Sequence, residues 1–336
     1  MEQTALTTAK AFARDLCDGQ EVDSVFVVRE CNRRQKRNGE TFLKLQLGDA
    51  SGGFECVVWD DIEGVAGCAA VGAVVRVSGR FAVSSRYGAS LTAKALRLAS
   101  ESEYDPADLS EGPPMAYEDM AHALEDLIAT VHRTHLRELL LRLLDPSTDI
   151  GRRWHRAPAA KYYHQAYRHG LLEHCLTVAQ GVHAMAAGPF ADVDHDMAVT
   201  GALLHDIGKV QAYRMSNGAI ELTDAGKLLG EIPLGYYLVR REIERIDGFP
   251  ADDAQAVLHI VLAHHGKLEH GSPVTPCTRE ATLVHMIDNL GGTLGSFDRI
   301  EKALADGESW SSFDRGISGS AYFAKRVAGG EERSAA

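Results

Sequence analysis

One stretch gathers the residue types from which a metal site is built. In Thr200-Gly-Ala-Leu-Leu-His-Asp-Ile-Gly-Lys209 an apolar helical run ends in His205-Asp206 and breaks at Gly208. An imidazole and a carboxylate side by side at a helix end can grip a divalent cation. His195-Asp196 is a second copy a few residues earlier, and it reads as surface. The later pair stands apart through its company: His174 upstream, His264-His265 and Asp288 downstream, each in an apolar helical context. A buried ionised carboxylate is costly unless it is paired or bound to a metal. One inward histidine is more often a hydrogen-bonded core residue than a ligand. Two inward carboxylates with three or four inward histidines would be relieved together by divalent cations.

Helices must deliver these groups. A helix from about 167 to 187 buries Leu171, Cys175, Val178, Val182 and Met185, and His174 falls on or beside that stripe. A mostly apolar helix from about 194 to 206 ends in His205 and Asp206. Between 252 and 265, Val257, Ile260, Val261 and His264 recur at i, i+3, i+4 and i+7, so His264 faces inward. Between 278 and 290, Val284, Ile287 and Asp288 share a side.

The chain before these helices has another period. From Asp23 to Leu98 apolar and polar residues alternate, as in Leu43, Leu45 and Leu47 against Lys44 and Gln46. Such alternation marks half-buried strands. Five are expected, near 23–31, 41–48, 53–59, 73–83 and 89–98, with a long connection after the third. That pattern suits a small closed barrel of the OB type. The whole reads as multidomain: a lead-in over 1–19, an all-β barrel over 20–99 and an acidic, proline-marked linker over 100–115. An all-α helical bundle over 116–328 and a disordered tail over 329–336 complete it.

Composition narrows the partners. Of 336 residues, 45% are hydrophobic and 24% charged, as in a soluble globular protein. No run is long enough to span a bilayer, and the N-terminus lacks a signal peptide's apolar centre, so the expected compartment is cytoplasmic and no membrane partner is expected. The six cysteines show no C-x-x-C spacing and read as free thiols. A net charge of −12 argues against general attraction to nucleic acid. Residues 20–98, however, carry 11 Lys+Arg against 9 Asp+Glu, which leaves the rest at −14. Within that front end Arg29, Arg33, Arg34, Lys36, Arg37, Phe42, Lys44, Trp59, Arg86 and Tyr87 interleave cations with flat rings. Single-stranded nucleic acid asks for that mixture, with cations for phosphates and rings for bases. The bland reading makes Phe42 and Trp59 core and the arginines a solvated hairpin tip.

The order His174, His205-Asp206, His264-His265, Asp288 resembles that of the HD-domain metal-dependent phosphohydrolases. Pro158–His164, Gly170-Leu-Leu-Glu-His174, Leu204–Lys209, Ala263-His-His-Gly-Lys267 with Gly271-Ser-Pro273, and His285-Met-Ile-Asp-Asn289 are similar to the YhaM-type 3′→5′ exoribonucleases, as is Phe26–Trp59 to their OB domain. The resemblance covers about residues 20–300. It implies a metal-dependent exonuclease on single-stranded RNA or DNA. Asp206 would bridge two metals, His174, His205 and Asp288 would complete one site, and His264 and His265 would help hold the second. Lys209 would neutralise a phosphate oxygen, or else simply satisfy helix-end carbonyls. Histidine and carboxylate without thiolate point to manganese, with iron, cobalt or magnesium as alternatives.

Two positions depart from the family. Glu231 stands where a histidine serves the second metal, and Gln165 follows His164 where another histidine is expected. Glu231 can coordinate as a harder ligand, or mark a weakened second site. Two rivals therefore stand beside the exonuclease: a phosphohydrolase of small nucleotides, and a nucleic-acid-binding protein with a decayed site. The sequence leaves a homo-oligomer open.

Overall fold

The computed structural model describes residues 10–36, 39–84, 88–109, 112–161, 165–216, 219–304 and 307–324. Arg37, Arg86, Tyr87 and the predicted tail lie outside them.

Five strands close into a barrel: β1 (Glu21–Gln35), β2 (Thr41–Asp49), β3 (Gly52–Val58), β4 (Val74–Ser84) and β5 (Gly88–Leu98). The ring order is β1-β2-β3-β5-β4, with β3 and β5 parallel and the β1–β2, β1–β4, β2–β3 and β4–β5 pairs antiparallel. This is the order of an OB-type barrel. The alternating residues fill it: Leu43, Leu45, Leu47, Phe54, Cys56, Val75, Val77 and Leu91 are buried in one cluster. A short helix, α1 (Ile62–Cys68), occupies the connection between β3 and β4.

Two bulges bend the sheet far enough to close. In β1 the register with β2 shifts between Val28 and Glu30, leaving Arg29 as the extra residue, and Arg29 donates to the Asp49 carbonyl at 2.7 Å. Alternation changes parity there, so β1 continues to Gln35, beyond the expected end at 31. In β4 the shift falls at Ser78/Gly79, where a Cβ on Gly79 would lie 2.2 Å from the Thr92 carbonyl oxygen.

The stretch expected to be a linker packs against the barrel. Glu103 accepts from Arg76 and Arg97, and Leu109 is buried with Val25, Val27 and Ala219. Glu103 finds its basic partners on β4 and β5, which a reading by composition alone does not reveal.

The remainder is mainly helical: α2 (Tyr117–Ala129), α3 (Thr134–Leu144), α4 (Asp149–Arg156), α5 (Gly170–Ala186), α6 (His195–Leu204), α7 (Lys209–Ala212), α8 (Asp224–Leu229), α9 (Glu231–Ile243), α10 (Ala251–Ala263) and α11 (Arg279–Ala303). The expected all-α bundle also holds a two-stranded hairpin, β6 (Tyr213–Ser216) and β7 (Ala219–Leu222). Helix α6 is the centre. Every residue from Asp196 to Leu204 is buried, as expected of a helix that is apolar on all sides. It packs against α5, α10 and α11, and a Cβ on Gly201 would overlap the Ile260 side chain of α10. No helix among the described residues is long and apolar enough to cross a membrane.

Candidate metal centre

Helix ends and helix faces converge at one point. His205 caps α6 and Asp206 follows it, His174 comes from α5, His264 caps α10 with His265 next, Asp288 comes from α11, and Glu231 opens α9. His174 Nε2 lies 3.1 Å from His205 Nε2 and 3.2 Å from both Asp206 Oδ2 and Asp288 Oδ1. His205 Nε2 lies 3.4 Å from Asp206 Oδ2 and 3.8 Å from Asp288 Oδ1. The other oxygen of Asp206 faces His264 Nε2 at 3.4 Å. Glu231 Oε1 is 3.5 Å from His265 Nε2.

The polar atoms fall into two groups, each within 4.8 Å: His174, His205 and Asp288, and Asp206, His264 and His265. Asp206 reaches both, with one oxygen toward each.

Backbone carbonyls set the tautomers. Nδ1 of His205 donates to the Ala202 carbonyl at 2.7 Å, that of His264 to Val261 at 2.8 Å, and that of His265 to His270 at 2.9 Å. A proton on Nδ1 leaves the lone pair on Nε2, the arrangement that orients a metal-ligating imidazole. Two buried atoms, Asp206 Oδ1 and His264 Nε2, have no hydrogen-bond partner among the described residues. Such atoms are rare in native interiors because desolvation goes uncompensated. A divalent cation answers that deficit, and this set of imidazole and carboxylate donors fits one.

The protonation pattern follows from crowding. Burial pulls the His174 imidazole down, but Asp206 and Asp288 outweigh it and raise its pKa to about 9. Burial and then His264 push His265 down to about 4. Burial opposes the Asp206 charge, yet Lys209 and His205 hold that carboxyl well below its usual range. Burial likewise opposes Asp288, which His174 and His205 hold low. Burial raises Glu231, and Lys209 offsets only part of this. Burial pulls Lys209 down, but Asp206 and Glu231 keep its ammonium above its ordinary value. Its Nζ sits 2.6 Å from Asp206 Oδ2. The structure thus turns Lys209 onto the acid itself.

Two glycines let the ends approach. A Cβ on Gly208 would lie 1.9 Å from the Glu231 carbonyl oxygen and 2.5 Å from Gly235 N. Gly266 has φ +78°, and a Cβ there would meet the His285 ring at 2.1 Å. His285 Nδ1 in turn contacts the His264 carbonyl at 2.8 Å. His285, which the sequence places in a motif without a role of its own, and Tyr213, which it does not single out, are neighbours of the centre. Tyr213, at the start of β6, sits half-buried in the field of Glu231, Lys209 and Asp206. Nothing in its local sequence signals this, because its place depends on how β6 follows α7. Gln165 is buried with φ +59°, and its carbonyl abuts Gly170 at the start of α5.

The other histidine-aspartate pair is not at the surface, contrary to expectation. Asp196 is buried and accepts the backbone N–H groups of His132 and Arg133, both at 2.8 Å. His183 Nδ1 meets His195 Nε2 at 2.8 Å. Asp196 ties α6 to the loop before α3.

Of the residues singled out on the barrel, Arg33, Arg34, Lys36, Phe42, Lys44 and Trp59 lie toward the β1–β2 turn, whereas Arg29 sits at the β1 bulge against Asp49. Phe42 and Trp59 rings lie 4.8 Å apart, Trp59 is 40% exposed, and Lys36 Nζ stands 4.7 Å above the Trp59 ring. Phe42 pairs in register with the exposed Arg34. Several cations already have partners: Arg33 with Glu63 at 2.9 Å, Lys36 with Glu40 at 3.0 Å, and Lys44 with Glu55 at 2.6 Å.

Residues 171–292 match the family model of the HD domain, a family of metal-dependent phosphohydrolases. That span contains all seven side chains of the centre. Among solved structures, the second OB-fold domain of replication protein A from Methanococcus maripaludis is 14% identical, with 27% of this chain and 96% of that one covered and a TM-score of 0.22. The mitochondrial single-stranded DNA-binding protein Rim1 of S. cerevisiae is 19% identical over 25% of this chain and 98% of that one, with a TM-score of 0.22. The small single-stranded DNA-binding protein of Streptomyces coelicolor is 23% identical over 25% and 96%, with a TM-score of 0.21.

Proposed function

We propose that this chain, with an HD domain over residues 171–292, is a metal-dependent 3′→5′ exonuclease of single-stranded RNA, able to accept DNA as well. The observation that carries the hydrolytic part is the pair of orphaned buried atoms, Asp206 Oδ1 and His264 Nε2, inside a cage of imidazoles and carboxylates. His174, His205 and Asp288 would hold one divalent ion, His264, His265 and Glu231 would flank a second, and Asp206 would reach both. When bound, such ions supply positive charge to phosphoryl oxygens and acidify water to a nucleophile near neutral pH. Manganese suits a set of nitrogen and carboxylate oxygen donors with Glu231 among them.

The chain's own groups do the rest. The Nδ1–H bonds to Ala202, Val261 and His270 keep three imidazoles in the ligating tautomer. Lys209 holds Asp206 ionised and brings a fixed cation to the place where phosphate charge accumulates. The barrel holds the strand upstream, with Trp59 and Phe42 as a stacking surface and Arg33, Arg34, Lys36 and Lys44 around it. The basic residues exchange exposed carboxylate partners for phosphates, and exposed pairs of this kind are worth only about 0–1 kcal/mol.

The test is an end-labelled single-stranded oligoribonucleotide incubated with the full chain and manganese. A ladder shortening from the 3′ end is expected, abolished by chelator and by Asp206→Ala. An unshortened oligonucleotide across the divalent metals would refute the proposal. Hydrolysis of free nucleotides alone would establish the small-nucleotide reading instead.

A further inference from the structure

Away from the metal centre, α3, α4, α7 and α9 border an open hollow of about 400 Å³. Four arginines line it: Arg142 on α3, Arg153 on α4, Arg241 on α9 and Arg245 just beyond the end of α9. Against them stand Glu242 and Asp149, so the lining carries two surplus positive charges on a chain whose net charge is −12. Arg241 and Arg245 both lean on one oxygen, Glu242 Oε1, at 3.1 and 2.8 Å. Arg142 bonds Glu138 at 2.9 and 2.8 Å, and Arg153 donates to the Val210 carbonyl at 2.7 Å. Each guanidinium thus has further N–H donors beyond those bonds. Guanidinium groups recognise phosphate through paired N–H donors better than any other side chain.

Size and walls define the ligand. The volume lies in the range of small-molecule sites. Ile150 and Leu238 add apolar wall, and Gln211 adds a side-chain amide suited to a sugar or base. Gln211 and Lys209 are two apart on α7, so they point to opposite sides of that helix. The cavity is therefore separate from the metal centre, with α7 between them.

We propose that this cavity binds a small phosphate ester of nucleotide size. The test is calorimetric titration of the full chain, in chelator, with adenosine monophosphate, inorganic phosphate and adenosine. Saturable binding of the monophosphate at one site per chain is expected, with weaker binding of phosphate and none of adenosine. Arg142→Gln/Arg245→Gln should weaken it by about tenfold or more. Arg142→Lys/Arg245→Lys should keep part of the affinity, which separates charge loss from misfolding. Asp206→Ala should leave it unchanged. Binding that survives the double glutamine variant, or vanishes in Asp206→Ala, would overturn the proposal. So would phosphate binding as tight as the monophosphate's, or an arginine dependence seen only with oligonucleotide. None of these outcomes depends on exonuclease activity.

Discussion

Asp206 Oδ1 faces His264 Nε2 at 3.4 Å in the buried centre, and neither atom has a hydrogen-bond partner among the described residues. A cation placed there should stabilise the fold. At a manganese concentration about a hundredfold above its dissociation constant, binding adds roughly 2.7 kcal/mol, or roughly 5–10 °C in Tm. Asp206→Ala should abolish that shift in a thermal melt. An equal shift in the variant would place the ion elsewhere.

Metal binding should also be proton-linked. With its pKa raised to about 9, His174 is protonated at neutral pH in the metal-free protein and must lose that proton to ligate. Apparent metal affinity should therefore climb up to about tenfold per pH unit and level off near 9. The stability of metal-free protein should run the other way. The folded pKa exceeds the ordinary 6.5, so the ion pairs of His174 stabilise fully below 6.5 and are lost as pH rises through about 9. Asp206 and Asp288 are depressed, so their contribution is present above 3.8 and lost at lower pH. Melts in chelator should thus decline between neutral pH and 9. A rising Tm over that interval would contradict the His174–carboxylate pairing.

Glu231, 3.5 Å from His265, decides the character of the second group. Glu231→His exchanges a hard oxygen for a softer nitrogen. Activity should move from manganese toward cobalt or iron, read as the ratio of rates with each metal. An unchanged ratio would put Glu231 outside the coordination sphere.

Much of this was readable from residues because burial imposes a period. Leu43, Leu45 and Leu47 alternate since one face of β2 lines a barrel, and His264 completes an i, i+3, i+4, i+7 stripe since α10 has one inner face. What escaped the reading depends on partners distant in sequence. Asp196 looks like a solvated helix start until His132 and Arg133 point their N–H groups at it. The acidic stretch after residue 100 looks loose until Arg76 and Arg97 meet Glu103. Four-residue strands such as β6 and β7 are too short for any period to declare itself.

Gly208 supplies a steric prediction. Its missing Cβ admits the Glu231 carbonyl, so Gly208→Ala forces α7 and α9 apart. The loss should be about 1–3 kcal/mol, with fewer bound ions because Asp206 and Glu231 separate. Gly291→Ala, within α11 and in open space, should instead gain about 0.5–1 kcal/mol. Denaturant unfolding of both variants checks the contrast, and equal effects would remove the argument.

The barrel's cations make the final prediction. Arg33, Lys36 and Lys44 each face a carboxylate, so an incoming phosphate must compete with Glu63, Glu40 or Glu55. Removing the competitor should therefore tighten binding: Glu63→Gln should raise affinity for a single-stranded oligonucleotide several-fold and steepen its salt dependence. Arg33→Gln should weaken binding and flatten that slope by about one unit or less. Trp59→Ala should cost about 1–3 kcal/mol while leaving the salt slope unchanged, since a ring stacks on bases and releases no counterions. Fluorescence anisotropy across a salt series separates these effects. A Glu63→Gln variant that binds no better would place the strand on another face of the barrel.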